Sequence, residues 1–230
     1  MLGGNGRGGR FGAEAEKLCP DRREIRRYMG MRSGSTEEGI EILISGALED
    51  LKKRAVPVGI FRREPLAVSG NRICAGGIEI ESRSLGKNLA GCGEIVLMAA
   101  TLGIGVDRLL ERYSRLEVSK ALALQAAAAA VLEEFCDCFQ EELSEILEKD
   151  GLYLRPRFSP GYGDFPLEHQ RPILERLQAS KMIGLTLTGG NMLAPVKSVT
   201  AVIGVSREKK SCHRKGCESC EKIDCAFRRE

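Results

Sequence analysis

The sequence predicts an α+β fold: a twisted, mainly antiparallel sheet covered by helices, with one long helix lying across it. Segments rich in β-branched and apolar residues recur at 56–61, 72–81, 94–100 and 196–205, each bounded by Gly, Pro or charged residues. Two stretches are helical in character: an apolar stripe near the 3.6-residue period over 36–54, and an Ala-, Leu- and Glu-rich run over 116–149. At 230 residues the chain is long enough to bury a real core. Its 43% hydrophobic and 29% charged residues exclude collagen-like, coiled-coil and wholly disordered classes. The net charge of +3 is too small to argue for a nucleic-acid or membrane partner, and no uncharged run reaches the roughly 18–20 residues of a membrane span.

Residues 1–12 are Gly- and Arg-rich without an apolar core, so neither a signal peptide nor a strand or helix is expected there. The expectation is a flexible leader over 1–19 on a cytoplasmic protein. Asp21 is a candidate N-cap for a short helix that Gly30 stops. The 36–54 helix follows, closed by Pro57. Strands at 56–61 and 72–81 are predicted to be separated by turns at Glu64-Pro65 and Ser69-Gly70-Asn71. The near-continuous apolar run 94–100 reads as a buried strand opening into a helix from about Val106. The 116–149 helix is halted by Asp150-Gly151; its alanines mark close packing, and Cys136 and Cys138, two apart, read as packing residues on different faces. Pro166 suits the first position of a helix over 167–179. Residues 185–193, broken by Gly189-Gly190, read as a loop or split strand before the strand at 196–205.

Residues 154–166 are too rich in Pro, Gly and aromatics for a strand or helix. Within them, Gly161 and Gly163 flank Tyr162, which lets the backbone approach a ligand closely, and Arg157 offers a planar fork suited to a carboxylate. His169 reads as a surface histidine at a helix start. The last part of the chain, 207–230, differs in character: Cys212, Cys217, Cys220 and Cys225 are spaced C-x4-C-x2-C-x4-C. Four thiolates so close together can wrap either a tetrahedral zinc or an iron–sulfur cluster, and the short spacings leave both open.

The stretch Arg157-Phe158-Ser159-Pro160-Gly161-Tyr162-Gly163-Asp164-Phe165-Pro166-Leu167-Glu168 resembles the activation domain of cobalamin-dependent methionine synthases, and more closely its free-standing relatives. So do 183–188 and 192–199, the run from Ala100 to Gly103 with Val106-Asp107, the Ala-rich segment with Glu133-Glu134, and Arg26-Arg27-Tyr28-Met29-Gly30. The resemblance covers roughly residues 20–206, which it marks as one domain ahead of a metal-binding tail at 207–230. It implies that the domain binds S-adenosylmethionine in a shallow groove and docks over a cobalamin-carrying partner, a methionine synthase or related corrinoid protein. A flavodoxin- or ferredoxin-type donor then reduces the inactive cob(II) cofactor, and the bound sulfonium remethylates it.

Carried onto this chain, the resemblance assigns Arg157 to the S-adenosylmethionine, Gly161 to the close backbone approach and Tyr162 to the face that meets the corrin. Val199 and Thr200 align with a pair bordering the ligand, where contacts would be mainly through backbone. An acidic ligand contact of the fused enzymes falls at about Gly30 here. The tail is foreign to the fused enzymes. A redox cluster in it could deliver the reducing electron, and an alternative reading is a redox or docking protein for corrinoid methyltransferases that binds no S-adenosylmethionine.

Overall fold

The computed structural model describes residues 8–31 and 38–209 of the chain. Helix α1 (Arg22–Tyr28) starts where Asp21 accepts a hydrogen bond from the Arg23 N–H at 2.8 Å, which satisfies a donor the first turn leaves unpaired. Gly30, at φ +78°, takes the left-handed turn that ends it. Helix α2 (Glu38–Arg54) buries Ala47 and Leu51 of the expected stripe and also Ile44, whereas Ile42, expected on the stripe, is exposed.

Strand β2 (Val58–Ser69) is longer than the sequence indicates, because it runs through Glu64-Pro65 instead of turning there. Pro65 lies opposite Glu94, the first residue of β5 (Glu94–Thr101), at the end of their pairing. The backbone there is bonded around it: Leu66 N–H donates to Gly93 and the Pro65 carbonyl accepts from Gly76. The segment 72–81 is likewise not one strand. Gly76 and Gly77, both at positive φ, fold it into the hairpin β3 (Arg72–Ala75) and β4 (Ile78–Glu81).

After α3 (Arg83–Asn88) the chain enters β5, whose residues alternate between two cores. Val96, Met98 and Ala100 face one, and Ile95, Leu97 and Ala99 face the other, which is why this stretch reads as unbroken apolar sequence. Helix α4 (Ile104–Leu116) is separated from α5 (Val118–Glu148) by one extended residue, Glu117. Beyond β6 (Tyr153–Leu154), Pro166 is extended and precedes a 3-10 turn, so it does not open a helix directly. The expected 167–179 helix divides into α6 (Gln170–Leu177) and α7 (Ala179–Ile183) at Gln178, φ +51°. The split strand at 185–193 is a small hairpin of β7 (Thr186–Leu187) and β8 (Leu193–Ala194), and β9 (Ser198–Ser206) follows.

The main sheet runs β4-β3-β2-β5-β9-β6, with β1 (Gly8–Gly12) also on β2, and its pairings are antiparallel. Helices α1, α2, α4 and α5 cover one face, and α3, α6 and α7 the other. The α+β class and the long covering helix are as predicted. The loose leader is not, over residues 8–12: β1 pairs with β2 from Gly8 opposite Arg62 to Gly12 opposite Val58. Phe11 explains it, for its ring lies 5.2 Å from that of Phe135 and 5.0 Å from that of Phe139, both on α5. Among the described residues, no helix is long and apolar enough to cross a membrane.

Cys136 is buried as expected, and burial pushes its thiol up to about 12. In the folded protein at pH 8 it should resist iodoacetamide while exposed Cys19 and Cys74 are alkylated. Peptide mapping after timed labelling checks this; modification of Cys136 as fast as Cys19 would contradict its burial.

Candidate functional site

The chain from Tyr153 to Phe158 runs along the outer edge of β9. Arg155 N–H donates to Gly204 at 2.8 Å, and Phe158 and Val202 exchange both backbone hydrogen bonds at 2.9 Å. Alternate residues of a strand present their N–H and C=O to the same side, so Thr200 directs its pair outward too, beyond the point where the chain turns away at Ser159. No strand pairing reaches Thr200 on that side among the described residues, but the residue is only 2% exposed, so its backbone is covered. Its hydroxyl is buried on the other side of the sheet, 3.4 Å from the Gln170 amide oxygen. Val199 faces the α5 side, half-buried. The two side chains thus face opposite sides of the sheet.

Arg157 also points to the α5 side and is held there by four acceptors. One Nη donates to the Cys136 carbonyl at 3.0 Å and to the Gln140 amide oxygen at 3.1 Å. The other reaches Asp137 at 2.6 Å and Glu133 at 3.4 Å. The fork is mostly buried, whereas the Glu133 and Asp137 carboxylates are more than half exposed. Sequence reasoning missed Asp137 and Gln140; the signal available was the i, i+4 spacing of 133, 137 and of 136, 140 on one helix face.

The loop after Arg157 is rigid. Gly161 N–H donates to Phe165, Phe165 N–H to Tyr162 and Tyr162 N–H to Ser159. Gly161 sits at φ +93°, a conformation side chains disfavour, and the Tyr162 side chain stands 69% exposed at the tip. Asp164, another residue the sequence left unassigned, ties the loop to α3: its carboxylate accepts from the Ser82 hydroxyl at 2.6 Å and from the N–H groups of Arg83 and Ser84 at 2.8 and 3.0 Å. These bonds, the Ser82 hydroxyl first, hold its carboxyl well below the usual Asp range. A depressed folded-state value stabilises the fold above the unfolded Asp pKa of about 3.9, and that contribution is lost as the pH falls below it. Asp164→Asn should therefore flatten the acid limb of the stability profile, read as urea midpoints between pH 5 and pH 2; an unchanged limb would mean the carboxylate does not anchor the loop.

Both His169 ring nitrogens lie against backbone carbonyls, Pro166 at 3.2 Å and Glu79 at 3.1 Å, so the ring staples the turn to β4. Asp107 accepts from the Val196 N–H at 2.9 Å, fixing the segment that leads into β9. Gly30 closes α1 and carries no side chain for a ligand. Cys212, Cys217, Cys220 and Cys225 lie outside the described residues; among the described ones no cluster of metal-ligating side chains occurs. Two cavities, of about 570 and 1040 Å3, open near α6 and α7, and neither is lined by Arg157, Gly161, Tyr162, Val199 or Thr200.

No family model and no curated protein matches the sequence. Among solved structures, the crystal structure of the MetH reactivation domain bound to AdoHcy superposes with a TM-score of 0.63, covering 88% of this chain and 79% of that one at 18% identity. The chain therefore has the fold of the MetH reactivation domain.

Proposed function

We propose that this protein binds S-adenosylmethionine beside Arg157 and β9, and supports the reductive remethylation of cobalamin on a methionine synthase or related corrinoid protein acting in trans. The observation that carries the reading is the Arg157 fork flanked by exposed Glu133 and Asp137. The ligand is a zwitterion with an added positive charge. The ligand's carboxylate takes the place of Glu133 and Asp137 on the Arg157 guanidinium, and the two released acidic groups meet its ammonium and sulfonium. Val199 and Thr200 border the adenosyl group, Thr200 through its backbone alone because its hydroxyl is turned to the other face. Gly161 keeps the loop backbone close to the ligand, and exposed Tyr162 is placed to face the partner's cofactor. When bound, the sulfonium supplies the methyl group, and a flavodoxin- or ferredoxin-type donor supplies the electron that reductive methylation consumes.

In the same reading the four tail cysteines hold zinc or an iron–sulfur cluster. Calorimetric titration of S-adenosylmethionine into anaerobically purified protein tests the proposal, with metal content and absorption spectrum taken on the same sample. Saturable one-to-one binding is expected. A folded protein that takes up no ligand would overturn the assignment, whatever the tail carries.

A further inference from the structure

At the opposite edge of the sheet from β9, strand β1 extends the sheet beyond the cover of α6 and α7. The overhang leaves a groove of about 1040 Å3 whose floor is β1 and β2 and whose wall is the α6–α7 junction. Register places the charges on its floor. Arg10 lies opposite Ile60 and Gly8 opposite Arg62, so Arg10, Arg62 and Glu64 share the face that carries buried Ile60.

Glu64 organises the groove. It is only 6% exposed, and one of its oxygens accepts from Arg176 Nε of α6 at 2.7 Å and is ion-paired with Arg62 Nε at 2.6 Å. Gly76 makes the room, since a Cβ there would lie 2.7 Å from Glu64 Cγ. Both arginines hold their Nε against the shared carboxylate, Arg176 through a hydrogen bond and Arg62 through an ion pair, and the Nη groups of both make no hydrogen bond among the described residues. The Arg10 side chain is exposed and makes no hydrogen bond or ion pair among the described residues. With the ion-paired Arg63 and Glu94 also on its lining, the groove holds four guanidiniums against two carboxylates, an excess of two positive charges, and a buried anion holds the Arg62 and Arg176 forks in place.

We propose that this groove binds a phosphate-bearing small molecule. Two oriented forks and a third cation ask for a ligand with a double negative charge and more acceptor oxygens than one carboxylate has, which is a phosphate or diphosphate group. Leu177 and Met182 on the wall give an organic body an apolar surface. The site is independent of the one beside Arg157, whose ligand carries no phosphate.

Inorganic pyrophosphate, titrated calorimetrically into the full chain at low and at 150 mM salt, is the probe. Saturable one-to-one binding is expected in both, weakened at least tenfold in Arg176→Gln and at least threefold in Arg10→Gln. Arg115→Gln, at an exposed position of α4, should bind as the unmodified protein does. Arg176→Gln leaves Arg62 on Glu64, so the buried carboxylate keeps a partner; should that variant fail to fold, Arg10→Gln carries the test alone. Absence of saturation, indifference to both groove substitutions, or an equal loss in Arg115→Gln would overturn the proposal. So would tight binding of a polyglutamate peptide with none of pyrophosphate, which would mark an acidic polypeptide as the partner.

Discussion

Replacing Phe139 by alanine is expected to lower the unfolding free energy by about 3–5 kcal/mol, the range for deleting a fully buried aromatic ring. Phe139 is 1% exposed and lies at the centre of an aromatic cluster, its centroid 5.0 Å from Phe11 and 6.0 Å from Phe61. It rests flat on β2 because position 59 is glycine: a Cβ there would come within 2.8 Å of the ring. The surroundings cannot collapse into the space, since the strand backbone below it is fixed by pairing on both sides, to β1 and to β5. The cavity term therefore adds to the lost transfer term. The urea midpoint should fall with an unchanged slope. Amide exchange should show a further effect, because Phe11 loses a stacking partner and the β1 amides should lose protection before the rest of the sheet. A loss of less than about 1 kcal/mol would fall outside the range for such sites and show that the cluster does not anchor β1.

Arg157→Ala is expected to weaken S-adenosylmethionine binding by about 1.5–3 kcal/mol, the worth of a hydrogen bond to a charged group. The corresponding rise in Kd is roughly tenfold to just over a hundredfold. The same side chain also bonds the Cys136 carbonyl and Gln140, so the substitution alone does not separate ligand contact from support of α5. Two further measurements do. Arg157→Lys keeps the charge but loses the planar fork, and should bind with an affinity between those of the parent and the alanine variant. Asp137→Asn removes one of the carboxylates facing the ligand's positive charges, and should weaken binding while Arg157 keeps its bonds to the helix carbonyl and Gln140. A lowered melting temperature with unchanged affinity in all three would place Arg157 in the scaffold and out of the site.

Much of this was legible one residue at a time. Asp21 as a cap, the α2 helix, the buried Cys136 and the apolar β5 each follow from local chemistry, and the structure bears them out. The errors share a cause. Gly8–Gly12 has no apolar periodicity, and only a partner strand and the rings of α5 give Phe11 somewhere to go. Pro65 signals a turn by composition, yet it sits at a register position where the strand's hydrogen bonds pass around it. The break at Gln178 depends on the packing of α7 against β2, which local propensity does not contain.

The same division holds for function. The residues 157–168 carry the resemblance that names a ligand, and Arg157, Gly161 and Tyr162 are conspicuous in the sequence as it stands. What those residues face was decided by tertiary structure. Sequence does not show that the Arg157 fork is framed by Glu133 and Asp137 from a helix 20 and more residues earlier, or that Asp164 is the anchor of its loop on α3. Strand alternation alone puts Val199 and Thr200 on opposite faces, but it does not say which of them faces α5. Local sequence determines which groups are available and which elements they ride on, because propensity, capping and burial act over a few residues. Which groups meet is set by strand register and helix packing, where contacts between distant segments overrule local preference.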